Sequence, residues 1–355
     1  MTSVLALLIG VLGTWVASIV FLRLPGAVAD PVPDRWHDKS TPLTGGFALL
    51  TGFLLALGSA VLAGESERRF GYLALAGTAA FVLGLCDDHR WIGARAKFAG
   101  QLAIAAATAS VIHPSWLPLA AAVPVAVIVL VAAMNSFNLL DNIDGLAAGT
   151  AAIAAGTLAL TTLFVGGSAL QLIACALAGA CLGFLPLNYR RRPAALFMGD
   201  SGALFLGLLV GATALLATPG GAGEVSATVV APLLILALPI LDTSLVILVR
   251  LAEGRPIWRG GRDHLSHRLV YAGLGERKAV AVLLTLAAAC GGVAMLVVAV
   301  DDALVTGAAA GAVLALLVGL GSRLALVSEA TRVAVLRGRQ EGGELEPVPH
   351  HARAS

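Results

Sequence analysis

Acidic side chains stand at the ends of apolar segments in this sequence. Asp87 and Asp88 close one such segment. Asp141 and Asp144 follow a second, and Asp200 lies at the start of a third. A carboxylate beside lipid is costly unless it is paired or metal-bound, and hard cations bind carboxylate oxygens together with substrate phosphates. The pattern predicts a magnesium site with Asp87, Asp88 and Asp200 as candidate ligands; a solvated helix end is the alternative interpretation of the first pair.

Amide side chains accompany the second group of acids. Asn135 and Asn138 precede Asp141 and Asp144, and the last three of these four residues recur at every third position. They would share one face if the segment were helical. A glycine-containing turn would explain one polar residue here but not all four, so we interpret the four as substrate-binding candidates.

A later loop carries basic side chains in a second compact pattern. His264, His267 and Arg268 are spaced by three and four residues and would lie on one helical face. A histidine pair binds zinc only with further ligands nearby, and none follows here. Because arginine presents a fork of donors suited to phosphate oxygens, we predict that this loop binds phosphate.

Four further residues are weaker substrate-binding candidates. Lys97 follows the first acidic pair, and Asn188 precedes the run Arg190–Arg192, which topology alone would also explain. Lys39 and Thr41 lie in a loop rich in turn residues, for which a purely structural role is equally favoured.

The composition indicates a membrane protein. Of 355 residues, 58% are hydrophobic and 12% charged, whereas soluble domains carry about 25% charged residues. We predict an all-α polytopic fold with about 11 (10–11) transmembrane helices. The predicted spans are Ser3–Leu22, Leu43–Ala63, Tyr72–Leu85, Phe98–Ile112, Leu117–Met134, Ala147–Val165, Ala169–Leu187, Leu204–Ala217, Val225–Val249, Ala279–Val300 and Leu304–Leu320.

The charges between these spans predict the topology. Every Lys and Arg except Arg68 and Arg69 falls in the odd-numbered connections or in the C-terminal tail. By the positive-inside rule these segments are cytoplasmic and the N-terminus is outside. Residues 1–321 then form one transmembrane domain in the cell membrane with its catalytic loops on the cytoplasmic face, and residues 322–355 form a poorly ordered cytoplasmic tail. The basic residues are scattered among short loops rather than gathered into a stripe, so we predict no nucleic-acid partner.

Taken in order, these motifs resemble the polyprenyl-phosphate N-acetylhexosamine-1-phosphate transferases, also described as glycosyltransferase family 4. The resemblance extends over almost the whole chain. It rests on Asp87-Asp88 with Lys97 and Gln101, on Asn135-Ser136-Phe137-Asn138 through Asp144-Gly145, on Phe197-Met198-Gly199-Asp200, and on the His264-to-His267 motif. The last motif is closer to the UDP-GlcNAc type than to the phospho-MurNAc-pentapeptide translocases, which have three adjacent histidines there.

The resemblance implies a Mg²⁺-dependent transfer, with Mn²⁺ as an alternative ion. A phosphate oxygen of undecaprenyl phosphate would attack the β-phosphorus of a UDP-sugar, with UDP-GlcNAc favoured, and UMP would leave. Asp200 would hold the metal, and Asp87 and Asp88 would assist it or handle the lipid phosphate. The amide-rich loop would line the nucleotide-sugar pocket, while His264, His267 and Arg268 would engage phosphates.

Three departures from the family pattern bear on specificity. Asn142 replaces a common glycine, Ser266 stands where a histidine is common, and the run Arg190–Arg192 is longer than usual. The partners implied are a UDP-sugar, a polyprenyl phosphate and the bilayer, with a homodimer left open. The alternatives are translocase activity and a secondary transporter, although transporter sites belong near the bilayer midplane.

Overall fold

The computed structural model describes residues 1–24, 28–29, 40–65, 67–114, 117–189, 194–217, 225–257 and 261–327. Within these ranges the chain is helical, and its only β structure is an antiparallel pair of two-residue strands, β1 (Val28–Ala29) and β2 (Thr41–Pro42). The helices are α1 (Thr2–Phe21), α2 (Gly45–Leu62), α3 (Arg68–Asp88), α4 (Ala94–Ala109), α5 (Leu119–Leu140), α6 (Leu146–Val165), α7 (Ser168–Asn188), α8 (Gly199–Leu216), α9 (Val225–Ile235), α10 (Ala237–Ala252), α11 (Leu265–Tyr271), α12 (Glu276–Val300) and α13 (Ala303–Ala325). The predicted all-α membrane fold is confirmed.

The number of spans agrees with the expectation from composition. By length and hydropathy, nine of the described helices can each cross a bilayer, and the bent pair α9–α10 makes a tenth. The helix α4 occupies the place of the predicted fourth span but has only 16 residues, fewer than the roughly 20 that a span needs. The last helix ends at Ala325, and residues 328–355 of the predicted tail lie outside the described residues.

The predicted span over Val225–Val249 is not a single straight helix. The chain breaks at Leu236, and the two helices on either side meet at 71°. Pro239 lies in the first turn of α10. A proline has no N–H to donate to the carbonyl four residues earlier, and its ring tends to clash with that carbonyl. A proline is among the few causes of so sharp a bend.

Helix α8 is the centre of the bundle. Every residue from Ser201 to Leu215 is buried, and the helix packs against α3 on one side and α5 on another. Its first turn carries Asp200. The packing of α8 therefore fixes the position of this carboxylate relative to the ends of α3 and α5.

Candidate active site

The carboxylate of Asp88 caps the N-terminus of α8. Its two oxygens accept hydrogen bonds from the backbone N–H groups of Asp200, at 2.7 Å, and of Ser201, at 3.1 Å. The first N–H groups of a helix have no partner within it, and their positive end attracts a negative charge. Asp88 therefore connects the end of α3 to the start of α8 and holds the backbone of Asp200 in place.

Two glycines permit this close approach. Gly84 of α3 lies against the backbone of Asp200 and Ser201, where a Cβ would lie 2.5 Å from the Ser201 Cα. Gly199 has φ +67°, and a Cβ on it would lie 2.6 Å from Asp88 Oδ2. Residues other than glycine rarely adopt this left-handed backbone conformation. The glycine before Asp200 is thus required by both backbone conformation and space.

The ammonium group of Lys97 lies between two of the carboxylates. Its Nζ is 2.7 Å from Asp87 Oδ2 and 3.2 Å from Asn138 Oδ1, and it forms an ion pair with Asp200 Oδ2. Asn138 in turn donates to Asp200 Oδ1 at 2.9 Å. Residues from α3, α4, α5 and α8 thus meet at one point, and five of the predicted site residues are brought together: Asp87, Asp88, Lys97, Asn138 and Asp200.

The charge at this junction is unbalanced. Asp87 and Asp200 share the ammonium of Lys97, the carboxylate of Asp88 binds the backbone beside Asp200, and these side chains are only partly exposed. No group of three or more His, Cys, Asp or Glu side chains within the described ranges is arranged as a preformed metal site. The junction therefore carries excess negative charge without enclosing a ready cage.

Asn135 is linked to α4 rather than directly to the carboxylates. Its Nδ2 donates to Gln101 Oε1 at 3.0 Å and to the carbonyl of Val131 at 2.8 Å, and the amide of Gln101 donates back at 3.4 Å. Asn138 lies three residues further along α5, on the same side. The amide pair therefore sets how α4 and α5 pack, and so where Lys97 and Asn138 meet.

Asn138, Asp141 and Asp144 do not share a helical face, because the segment is not helical throughout. Helix α5 ends at Leu140, and Asp141 to Asp144 form a turn in which both acids are half-buried. Gly145, at φ +83°, follows this turn and begins α6. Only Asn138 of the three is helical, which places the two acids beyond the end of α5.

Asn188 stabilises this turn. Its Oδ1 accepts from the N–H of Gly145 at 2.8 Å, and its Nδ2 donates to the carbonyl of Leu196 at 3.1 Å. The side chain is 3% exposed. These contacts position the loop that holds Asp141 and Asp144, while a direct substrate contact by Asn188 stays a prediction.

The predicted helix in the histidine loop is present as α11. His264 is its N-cap residue, and the rings of His264 and His267 lie 5.5 Å apart. Ser266 donates to Asn142 Oδ1 at 2.5 Å, which connects α11 to the turn after α5. The two residues that depart from the family pattern in the two loops are therefore direct partners.

Comparisons with known proteins show the family of this chain. Glycosyl transferase family 4 matches residues 70–218. A probable undecaprenyl-phosphate N-acetylglucosaminyl 1-phosphate transferase of Bacillus subtilis is 32% identical over 274 residues, covering 73% of this chain and 74% of that protein. A decaprenyl-phosphate N-acetylglucosaminephosphotransferase of Mycolicibacterium smegmatis is 33% identical over 295 residues, covering 73% and 72%. The chain belongs to glycosyl transferase family 4.

The family also includes relatives of the translocase type. A phospho-N-acetylmuramoyl-pentapeptide-transferase of Moorella thermoacetica is 38% identical over 203 residues, but this covers only 50% of the present chain and 61% of that protein. The predicted resemblance, which favours the N-acetylglucosamine type, is confirmed. Since these relatives are transferases, the present chain is a membrane transferase of family 4, and the secondary-transporter alternative is set aside.

Sequence reasoning missed a carboxylate that contacts the histidine loop. Asp242 of α10 is 1% exposed and contacts both His264 and the backbone of Leu265. The signal available in the sequence was its isolation as the single acid between Val225 and Val249, because a charge at membrane depth is rarely without a partner.

The guanidinium of Arg268 donates hydrogen bonds to backbone carbonyls of the protein. Its Nε donates to the carbonyl of Asp263 at 2.9 Å, and its Nη1 donates to the carbonyls of Leu324 at 2.9 Å and Ala325 at 3.2 Å. A guanidinium at the C-terminus of a helix satisfies carbonyls that lack partners within it. Arg268 thus holds the end of α13 against α11, and its role toward phosphate stays a prediction.

An ion-pair network supports the loop before α11. Asp263 accepts from Arg250 Nε at 3.2 Å and from Arg255 Nη2 at 2.9 Å. Burial by itself raises the pKa of the Asp263 carboxyl, but the hydrogen bonds from Arg255 and Arg250 outweigh it and place the pKa below 3.8. The carboxylate is therefore ionised at neutral pH, and its ion pairs anchor the chain directly before His264.

The two candidates from the first loop have different outcomes. Lys39 lies outside the described residues, as does the run Arg190–Arg192. Thr41 is in β2 and is buried. The neighbouring Pro42 carbonyl accepts from the N–H of Phe197 at 2.9 Å, so β2 packs beside the segment that leads into Asp200.

Proposed function

We propose that this family 4 enzyme transfers an N-acetylhexosamine 1-phosphate, with N-acetylglucosamine favoured, from a UDP-sugar to a polyprenyl phosphate. The observation that carries the proposal is the junction at Lys97, where Asp87, Asp200 and Asn138 converge from three helices. The relatives named for the same transfer from Bacillus subtilis and Mycolicibacterium smegmatis support the choice of acceptor and sugar.

The reaction makes one bond and breaks one. An oxygen of the lipid phosphate attacks the β-phosphorus of the UDP-sugar, and the bond from that phosphorus to the bridging oxygen breaks. The products are a polyprenyl diphosphate sugar and UMP. Phosphoryl transfer depends mainly on positioning the substrates and on neutralising their charge. A fixed group of carboxylates around one ammonium can contribute to both.

The residues present fit a bound Mg²⁺. Asp87 and Asp200 already share one positive charge, that of Lys97, so their oxygens can also face one metal ion. Mg²⁺ is commonly held by one or two carboxylates plus substrate phosphates rather than by a protein cage, which agrees with a site lacking three preformed ligands. When bound, the ion would neutralise the diphosphate and polarise its oxygens.

The protein side chains divide the remaining work. Asp88 is committed to the N-terminus of α8 and keeps Asp200 in position. Lys97 supplies a cation to a substrate phosphate. Asp141 and Asp144 line the donor side, and His264 and His267 on α11 close it, because Ser266 and Asn142 join these two segments.

We place this chemistry on the cytoplasmic face of the cell membrane. The acids, Lys97 and α11 all fall at connections that contain nearly all the Lys and Arg residues, which marks the cytoplasmic side. Nucleotide sugars are cytosolic, and the lipid phosphate arrives within the bilayer. A site at this boundary reaches both substrates.

The test is transfer of radiolabel from sugar-labelled UDP-GlcNAc into undecaprenyl phosphate by purified protein with magnesium. Asp200→Asn should lose activity, whereas Asp301→Asn, a matched change on an exposed residue between α12 and α13, should retain it. Labelled lipid from wild type and the control alone supports the proposal. Product only from UDP-MurNAc-pentapeptide would change the donor to that of the translocases, and no product from any UDP-sugar would refute the reaction.

A further inference from the structure

A buried carboxylate outside the recognised motifs contacts the histidine loop. Asp242 of α10 is 1% exposed. Its Oδ2 lies 2.8 Å from Nδ1 of His264, and its Oδ1 accepts from the backbone N–H of Leu265 at 2.7 Å. Both partners lie more than 20 residues further along the chain, beyond the end of α10. One carboxylate therefore fixes both the ring of His264 and the first turn of α11.

The chemistry of the pair fixes the position of a proton. An ionised carboxylate only accepts hydrogen bonds, so Nδ1 of His264 must carry a hydrogen, whether the ring is neutral or charged. The other ring nitrogen, Nε2, is then the one that can meet a substrate. Carboxylates fix the tautomer and orientation of functional histidines in this way at metal sites and in catalytic triads.

The position of Asp242 is itself fixed relative to the carboxylate junction. The adjacent Thr243 donates to Ser136 Oγ at 2.9 Å, which ties α10 to α5. Ser136 lies two residues before Asn138, which contacts Asp200. Helix α10 therefore holds the His264 ring in a fixed position relative to α5, the helix that also contributes Asn138 to the junction.

We propose that Asp242 is a positioning residue for His264. It keeps Nδ1 of the imidazole protonated and turned toward Asp242, so that Nε2 faces the substrates, as a proton acceptor in the neutral ring or as a donor to a phosphate oxygen in the charged ring. This inference rests on the proposed function for its consequence in catalysis. Capping of α11 by Asp242 is the competing explanation, since a carboxylate that only caps a helix would leave the tautomer without importance.

The variant Asp242→Asn separates the two explanations. The amide oxygen can still accept from Leu265 N–H, which preserves the start of α11, while the amide nitrogen now donates toward Nδ1 and favours the opposite tautomer. We expect kcat to fall by about 100-fold or more, on the precedent of the same exchange in a catalytic triad. KM for either substrate should change less than about threefold and the melting temperature only slightly.

A double-mutant cycle and a spectroscopic measurement complete the test. In the His264→Ala background, Asp242→Asn should have no further effect on kcat. Nitrogen-15 spectra of histidine-labelled protein, with the His264 signals assigned by their loss in His264→Ala, should show the Nδ1–H form in the wild type and the Nε2–H form in Asp242→Asn.

Three results would refute the positioning role of Asp242, and one would refute the proposed function. Wild-type activity in Asp242→Asn, or an equal loss in the His264→Ala background, would reduce Asp242 to a helix cap. An Nε2–H tautomer in wild-type protein would overturn the proposal even if the variant failed to fold. The spectra do not depend on turnover, so wild-type protein that shows the Nδ1–H tautomer but transfers no sugar phosphate would refute the proposed function and leave the Asp242–His264 pairing intact.

Discussion

The cap that Asp88 places on α8 predicts the effect of the substitution Asp88→Asn. The carboxylate accepts two backbone hydrogen bonds, from Asp200 and Ser201. An asparagine has one acceptor oxygen, and its NH₂ group would face one of those N–H groups. The variant therefore loses one hydrogen bond, places two donors against each other and removes a negative charge from a helix N-terminus.

The magnitude follows from these losses. A hydrogen bond to a charged group contributes about 1.5–3 kcal/mol, and a charge at a helix N-terminus adds about 0.3–1 kcal/mol. Relief of repulsion between Asp88 and the neighbouring carboxylates of Asp87 and Asp200 offsets part of this, so we expect a net loss of about 2–3 kcal/mol. For a chain of 355 residues the melting temperature should fall by roughly 3–4 °C.

Activity should fall further than stability. The start of α8 carries Asp200, and a displacement of 1 Å at a reacting site can lower a rate by about 100-fold. The assay is sugar phosphate transfer at a temperature well below both melting transitions, so that the fraction folded is equal. Asp301→Asn is the matched control. An Asp88→Asn protein that melts within about 1 °C of wild type and keeps more than half its activity would show that the cap does not position Asp200.

Three other outcomes are expected. Replacing Lys97 with Met leaves the facing carboxylates of Asp87 and Asp200 without their cation, so the variant should melt lower than wild type and gain more thermal stability from added magnesium; equal magnesium dependence in the two proteins would contradict the shared cation site. Asn142→Ala and Ser266→Ala should each raise KM for the UDP-sugar, and the double variant should be no worse than the more severe single one, with a coupling of about 1 kcal/mol; additive effects would show that the contact between the loops is unimportant. The pKa of Asp263 is lowered in the folded protein, so its contribution to stability is complete above its unfolded value of 3.8 and is lost as the pH falls through the folded pKa. The difference in melting temperature between wild type and Asp263→Asn should accordingly be constant from pH 8 to pH 6 and shrink below about pH 4, and a difference that grew on acidification would refute the ion-pair explanation.

The sequence predicted most of the helices because long apolar runs separated by basic loops leave few alternatives. It also predicted that Asp87, Asp88, Lys97, Asn138 and Asp200 belong to one site, and the structure brings these five together. Their order and their shared side of the membrane were enough for that inference. Which of them contact each other was not readable, because α3, α4, α5 and α8 meet through packing between distant parts of the chain.

Three features of the structure were not predicted from the sequence, each for a physical reason. The break at Leu236 lies close to Pro239, but Pro124 and Pro186 lie inside continuous helices. A proline in the sequence is therefore not enough to predict where a helix bends. Asp242 looked like an isolated polar residue until a loop more than 20 positions away folded onto it. Asn188 is of a residue type that often binds ligands. In the structure its side chain instead stabilises a turn by bonding to a backbone N–H and a backbone carbonyl, and a side-chain pattern does not reveal such contacts.

The ion pairs of Lys97 have a consequence for how the enzyme is assembled in the cell. Zinc fingers stay unfolded until their metal arrives, whereas here a covalently attached cation already holds Asp87 and Asp200 together. If the proposed magnesium dependence holds, newly inserted protein would reach its mature shape before the ion binds. Supply of the ion would then control the rate of catalysis without controlling how much folded enzyme the membrane contains.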